Sequence, residues 1–231
     1  MPPRENHLIA RLPGAVRKRF IDRCEPFDLV MSDELSQRDQ LLSHAYFPRG
    51  GFISLVIDVD SHPPLEVGMV GFESMLGSEL LLGLTTTPWR AVVQGSGPSL
   101  RLPAGDLQAC SADMPALLEL LQRTLLVRLH QQTLACACER FHMIGPRLSR
   151  WMLMSQDRAG TDSFDVTQAF MALMLGVRRV GVTMAAHELQ QDGLIDYHRG
   201  HITVLDRGGL EARACSCYAA DRRLYGELMQ G

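Results

Sequence analysis

The chain has 231 residues, with 23 Lys+Arg against 26 Asp+Glu and a formal net charge of −3. That length holds one large domain or two modest ones with their own cores, and 46% hydrophobic with 21% charged residues is ordinary globular composition. Residues 141–231 carry ten cations and ten anions, which argues against a non-specific nucleic-acid coat but leaves room for a few well-placed cations.

The opening MPPRENHLIARLPGAVRKRF contains no apolar run of signal length. Nothing later approaches the roughly 18 apolar residues of a membrane span. The expectation is a cytoplasmic protein with no membrane partner, whose six cysteines are free thiols. From about residue 20 to 106 the texture is strand-like. FISLVIDVD (52–60), LEVGMV (65–70), RAVVQ (90–94) and SLRLP (99–103) are short β-branched or alternating runs, punctuated by PRGG, HPP and GSGP. Short strands with close turn signals predict a β-barrel or jelly roll over residues 1–110.

At Met114 the texture changes to MPALLELLQRTLLVRLHQQTLACACER, whose single Pro115 suits a first helical turn. Residues 115–139 as one helix would run about 37 Å. Leu117, Leu118, Leu121, Leu125 and Leu129 recur at helical spacing, and Leu120, Leu126 and Val127 widen the apolar surface. Such a helix must bury more than one face. Packing on its own barrel and pairing with a second copy satisfies this, so residues 111–140 read as a dimerisation helix.

Residues 141–231 begin with FHMIGPRLSRWMLMSQDR, read as a helix broken at Gly145-Pro146. Thr167 is a natural N-cap for QAFMALML, and Gly176 a natural stop. A second helix of about 14 residues follows, with Val182, Ala185, Ala186 and Leu189 on one inward stripe. Arg178, Arg179, Thr183 and Met184 lie off that stripe. LIDYHRGHITVL (194–205) then reads as a hairpin around Arg199-Gly200, and GLEARACSCYAADRRLYGELM as a last helix. Helix, glycine turn, helix and hairpin is the order of a winged helix-turn-helix. In that motif the second helix places its N-terminal residues in the DNA major groove. Two arginines at such a helix start meet phosphates and guanine edges.

The order β-barrel, long helix and winged helix-turn-helix resembles the CRP/FNR family of bacterial transcription regulators over nearly the whole chain. VTQAFMALMLGVRRVGVTMAAHELQQDGLIDYHRGHITV (166–204) is its most specific part. Thr167 and Gln168 match the family's Thr and polar residue at the first helix, Gly176 its turn glycine, and Arg179 its main base-contacting arginine. The resemblance implies an α+β fold and a homodimer reading a two-fold-related site on double-stranded DNA. The interface would use Thr167, Gln168, Arg178, Arg179, Val180, Thr183, Met184, Arg199 and His201. RNA polymerase is a candidate further partner.

Two departures stand out. The family often has Glu after that arginine and a charge four positions on, where this chain has Val180 and Met184; both could touch a thymine methyl. Cyclic-nucleotide binders of this fold carry Gly-Glu-Leu and then Arg-Ser/Thr-Ala. Here Gly77-Ser78-Glu79-Leu80 has one extra residue, and Trp89-Arg90-Ala91 lacks the hydroxyl. Gly71, Glu73, Gly77, Glu79 and Arg90 therefore read as a weak effector pocket. The lost register argues against cyclic AMP and for another small-molecule effector or none.

Cys136-x-Cys138 and Cys215-x-Cys217 each fall on a predicted helix, where residues two apart point about 200° apart. This reads as buried thiols without a metal. His44 and His62 read as surface histidines. Glu73 and Glu79 have no supporting group for acid–base catalysis, and no nucleophile elbow, P-loop or zinc-protease motif occurs. No enzyme chemistry and no cofactor is expected. The rival reading is a small-molecule-binding module whose winged helix docks protein rather than DNA, favoured by Val180 and Met184.

Overall fold

Seven strands fill the first hundred residues of the computed structural model, which describes residues 4–229. They are β1 (Glu25–Leu29), β2 (Glu34–Ser36), β3 (His44–Pro48), β4 (Phe52–Ile57), β5 (Leu65–Val70), β6 (Arg90–Gly95) and β7 (Gly97–Pro103). Two short helices, α1 (His7–Ala10) and α2 (Gly14–Ile21), precede them. The strands form two antiparallel sheets, β1-β7-β3 and β2-β6-β4-β5, and an isolated bridge ties Tyr46 of β3 to Leu76 in the segment between β5 and β6. The expected barrel is thus an open roll of two sheets. Inward residues such as Ile53, Leu55, Val70, Ala91 and Val93 fill one layer between the strands, and Phe20, Phe47 and Leu102 belong to a second. The strands at 25–29, 34–36 and 44–48 are short or interrupted by polar residues, so periodicity alone did not reveal them.

α3 (Ala104–Asp113) leads directly into α4 (Pro115–Phe141). Leu117 and Leu121 are buried in the core beneath the β1-β7-β3 sheet. Leu118 and Leu125 are half-buried, while Leu126 and Leu129 face solvent, Leu129 with 64% exposure. The leucines expected on the dimerisation helix therefore divide between two faces, one spent on the chain's own core and one open.

The break after α4 falls at His142-Met143, one turn before Gly145-Pro146. Both residues are extended, and α5 (Ile144–Ala159) begins beyond them. Pro146 lies in the first turn of α5, where its missing N–H costs nothing. β8 (Ser163–Asp165), α6 (Gln168–Met174), α7 (Arg179–Gln191), β9 (Ile195–His198) and β10 (His201–Val204) follow, with sheet order β8-β10-β9. The predicted last helix is two, α8 (Arg207–Arg213) and α9 (Cys217–Met229), parted at Ala214–Ser216. Cys215 lies in that gap and Cys217 opens α9, so the second cysteine pair does not share a helix.

Leu148, Trp151, Met152, Val182, Leu189, Ile202 and Leu210 build the core of the C-terminal module, and Phe52 and Met69 of the β-roll join it. Among the described residues no single helix is long and apolar enough to cross a membrane.

Candidate nucleic-acid interface

The Thr167 hydroxyl accepts the Phe170 N–H at 3.1 Å and caps α6. α6 ends at Met174 with Leu175 as its C-cap, and the chain leaves it through Gly176, whose φ of +62° suits glycine; a Cβ there would meet Leu65 at 3.1 Å and Glu139 at 3.0 Å. The chain then turns so that α6 and α7 meet at 110°, within the helix-turn-helix range. Arg147 of α5 secures the turn: its guanidinium donates to the Leu175 carbonyl at 2.5 Å and lies 3.4 Å from Glu139. A cation on the last carbonyl of a helix offsets its negative end. Sequence reasoning missed Arg147, because 28 residues separate it from Leu175 and no local pattern announces the contact.

α7 divides as expected. Val182, Ala185, Ala186 and Leu189 are buried, each large side chain contributing about 1.5–3 kcal/mol. Arg178, Arg179, Val180, Thr183, Met184, His187 and Gln190 are exposed. Arg178 is the N-cap residue and makes no side-chain capping bond. Ser, Thr, Asp or Asn is preferred there, and cations are unfavourable at the positive end of a helix dipole. The local rule is broken at the spot where an anion would restore it. Among the described residues, neither Arg178, Arg179 nor Arg199 pairs with a carboxylate.

Thr183 donates its hydroxyl to the Gln168 side chain at 2.7 Å and lies 3.0 Å from the Arg179 carbonyl, joining the start of α6 to α7. β9 and β10 pair with His198 opposite His201, leaving Arg199-Gly200 as a two-residue loop with φ of 50° and 86°. Positive φ at both positions is the hairpin turn matched to strand twist; Arg199 occupies it although a side chain is strained there. His201 lies 2.8 Å from Asp165 of β8. The structure thus brings Thr167, Gln168, Arg178, Arg179, Val180, Thr183 and Met184 onto adjoining elements, with Arg199 and His201 on the wing. Val180 is 63% exposed and Met184 61%.

The five effector-pocket residues do not line one cavity, although Gly71 and Glu73 are in contact. Arg90 pairs with Asp58 at 3.2 Å and Glu34 at 3.8 Å. Glu73 pairs with buried Arg158 of α5 at 2.8 Å and accepts the Gly71 N–H. Gly77 caps a 3-10 helix (Ser78–Leu82) within which Glu79 is buried and accepts the Thr87 hydroxyl at 3.0 Å. Glu73 instead borders a cleft of about 300 Å³ with His7, Phe72, Arg158 and Tyr225. Burial lowers the His7 pKa and raises that of Tyr225.

Residues 146–213 match the family model described as a Crp-like helix-turn-helix domain. No curated protein sequence matches the chain. The fold is similar to that of a crp/fnr-family transcriptional regulator from Eubacterium rectale, at TM-score 0.67 and 17% identity over 90% of this chain and 98% of that one. It is also similar to FixK2 from Bradyrhizobium japonicum, at 0.69 and 12% over 83% and 98%. The c-di-GMP-responsive regulator CLP of Xanthomonas campestris matches at 0.66 and 17% over 83% and 99%.

Proposed function

We propose that this chain, which has the fold of the CRP/FNR transcription regulators and carries a Crp-like helix-turn-helix domain, reads a two-fold-related DNA site as a cytoplasmic homodimer. The observation that carries the reading is the face of α7. It is a helix start with two exposed, unpaired arginines, no side-chain cap, and a third unpaired arginine on the neighbouring wing tip. Arg179 reads a guanine edge, Arg178 and Arg199 hold phosphates, and Val180 and Met184 meet thymine methyls. Thr167, Gln168, Thr183 and His201 orient these contacts or add to them.

Residues 1–110 act as the sensor, 111–140 as the dimerisation helix through the open Leu125–Leu129 face, and 141–231 as the DNA-binding module. RNA polymerase is the partner through which a bound dimer would act on transcription. The roll takes a small-molecule effector other than cyclic AMP, or none. The commitment of Arg90 to Asp58 and Glu34, and of Glu73 to Arg158, supports that choice.

Selection from randomised duplex DNA, with wild type and Arg179→Ala side by side, tests the reading. Wild type should enrich a two-fold-symmetric motif that loses definition in the variant, by about 1–3 kcal/mol per half-site. If wild type enriches no motif, α7 is not a sequence reader. The exposure of Val180 and Met184 favours one second reading, in which the winged helix docks protein. A shallow salt dependence of DNA binding would support it, because phosphate contacts give a steep one.

A further inference from the structure

Four ligand-bearing side chains meet where the end of α4 faces the gap between α8 and α9. Cys138 lies in the last turn of α4 and His142 caps it, while Cys215 lies in the gap and Cys217 opens α9. One ligand atom from each lies within 4.8 Å of every other. The Cys138 and Cys215 sulfurs are 3.5 Å apart, and the Cys217 sulfur is 3.6 Å from His142 Nδ1. Zinc–sulfur bonds of about 2.3 Å and zinc–nitrogen bonds of about 2.0 Å put neighbouring ligand atoms of a tetrahedral site about 3.5–3.8 Å apart. Two edges already have that length, and no other needs to close by more than about 1 Å.

From this geometry we propose that Cys138, His142, Cys215 and Cys217 form a Cys3His site for a single Zn2+ ion, clamping the start of α9 to the hinge end of α4.

Among the described residues, Cys138, Cys215 and Cys217 form a small cluster of their own, separate from three larger cores, with Leu134 packed against it. It brings together segments 77 residues apart in sequence. The charge also balances. Three thiolates, a neutral imidazole and Zn2+ leave one negative charge, and the Arg150 guanidinium stands near Cys138 and Cys217 to offset it. Its Nε is buried without a partner among the described residues. Metal entry displaces the thiol protons to solvent.

The full-length protein, purified under reducing conditions, is loaded with Zn2+ and desalted for metal analysis. A parallel sample is loaded with Co2+ for absorption spectroscopy. Wild type should retain one zinc per chain and give the intense visible bands and thiolate charge-transfer of tetrahedral cobalt. Cys136→Ser, on the exposed side of α4, should behave as wild type, and Cys215→Ser should lose the metal. His142→Cys should keep the metal and show a stronger thiolate band, which a purely structural histidine would not produce. A wild type that holds no metal and gives no thiolate–cobalt band overturns the proposal even if Cys215→Ser fails to fold. So does a folded Cys215→Ser protein with the wild-type spectrum. A brown chromophore with acid-labile sulfide, or a Cys138–Cys215 disulfide in anaerobically alkylated protein, overturns it as well. None of these readouts depends on DNA binding.

Discussion

Replacing Glu66 by Gln should make the protein more stable at neutral and alkaline pH and remove much of its pH dependence. Glu66 lies on β5, where its carboxylate accepts the Trp151 indole N–H at 3.0 Å and the Ser54 hydroxyl. Burial raises its pKa from 4.5 to about 7, against the pull of Ser54, Trp151, Arg158 and Arg150. The folded protein therefore holds a proton between about pH 4.5 and 7 that the unfolded chain has already lost. Stability from this group is fully present below 4.5, falls as pH rises through that window and is flat above it. At 1.36 kcal/mol per unit, the whole shift would cost about 3 kcal/mol. The residue as a whole is half-buried, so solvent screening brings the expected cost to about 1–3 kcal/mol. Gln reproduces the protonated form, its oxygen accepting from Trp151 while its NH2 donates to Ser54. Denaturant unfolding followed by tryptophan fluorescence at pH 5 and pH 8 measures the effect. The variant should gain about 1–3 kcal/mol over wild type at pH 8 and little at pH 5, corresponding to roughly 2–12 °C in Tm for a chain of this size. Comparing the two proteins at each pH cancels the histidines that titrate in the same range. A variant that keeps the wild-type pH slope, or is less stable at pH 8, would refute the reasoning.

Arg199→Gly should leave the fold intact or raise Tm slightly by relieving the positive φ, yet weaken DNA binding and reduce the salt slope by about one per half-site; mobility shifts over a salt series would reveal it. Glu73→Gln should destabilise the fold, measured by denaturant unfolding, by less than the roughly 3–5 kcal/mol of an uncompensated buried charge, because it removes the partner of buried Arg158 while Asp221, Asp157 and Glu66 still act on it. Leu129→Asp should convert a dimer to a monomer in light scattering without altering the circular dichroism, because the side chain is exposed on the protomer.

The C-terminal module was more legible than the β-roll, for a physical reason. α6, α7 and the wing are set by local signals: the Thr167 cap, Gly176 at positive φ, the inward stripe of α7 and the Arg199-Gly200 turn. The roll depends on partners far away in sequence. β1, for example, pairs with β7 across residues such as Phe27 and Ser99, and its polar residues hide it from a periodicity reading. The cysteine cluster failed to show for a related reason. Attention to each Cys-x-Cys pair compares residues on opposite sides of a helix, whereas Cys138 and His142 stand one turn apart on the same side. Their partners arrive only because Ala214–Ser216 interrupts what reads as one continuous helix. Gly145-Pro146 reads as a break although the chain parts at His142-Met143, because proline permits a first turn as readily as it ends a helix.

The junction between the modules limits how an effector could act. Phe52 and Met69 of the roll share a core with Trp151, Met152 and Val182, so turning α7 away from the roll would expose those side chains. At about 1.5–3 kcal/mol for each large side chain, parting three of them costs about as much as the 5.5 kcal/mol needed to drive a two-state population from 1:99 to 99:1. An effector working by such a rotation would have to bind one arrangement about ten-thousand-fold better than the other. In the docked arrangement Arg178, Arg179 and Arg199 are already exposed and unpaired, so no rotation away from the roll is needed to free them. What remains to be set is the spacing between the two α7 helices of a dimer. That spacing depends on α4 and on the His142-Met143 break, where Phe141 and Met143 are 76% and 80% exposed. Small changes there, carried to α7 through Arg147 and its hold on Leu175, would alter DNA affinity without parting the shared core, and this favours the hinge over the roll interface as the element that an effector biases.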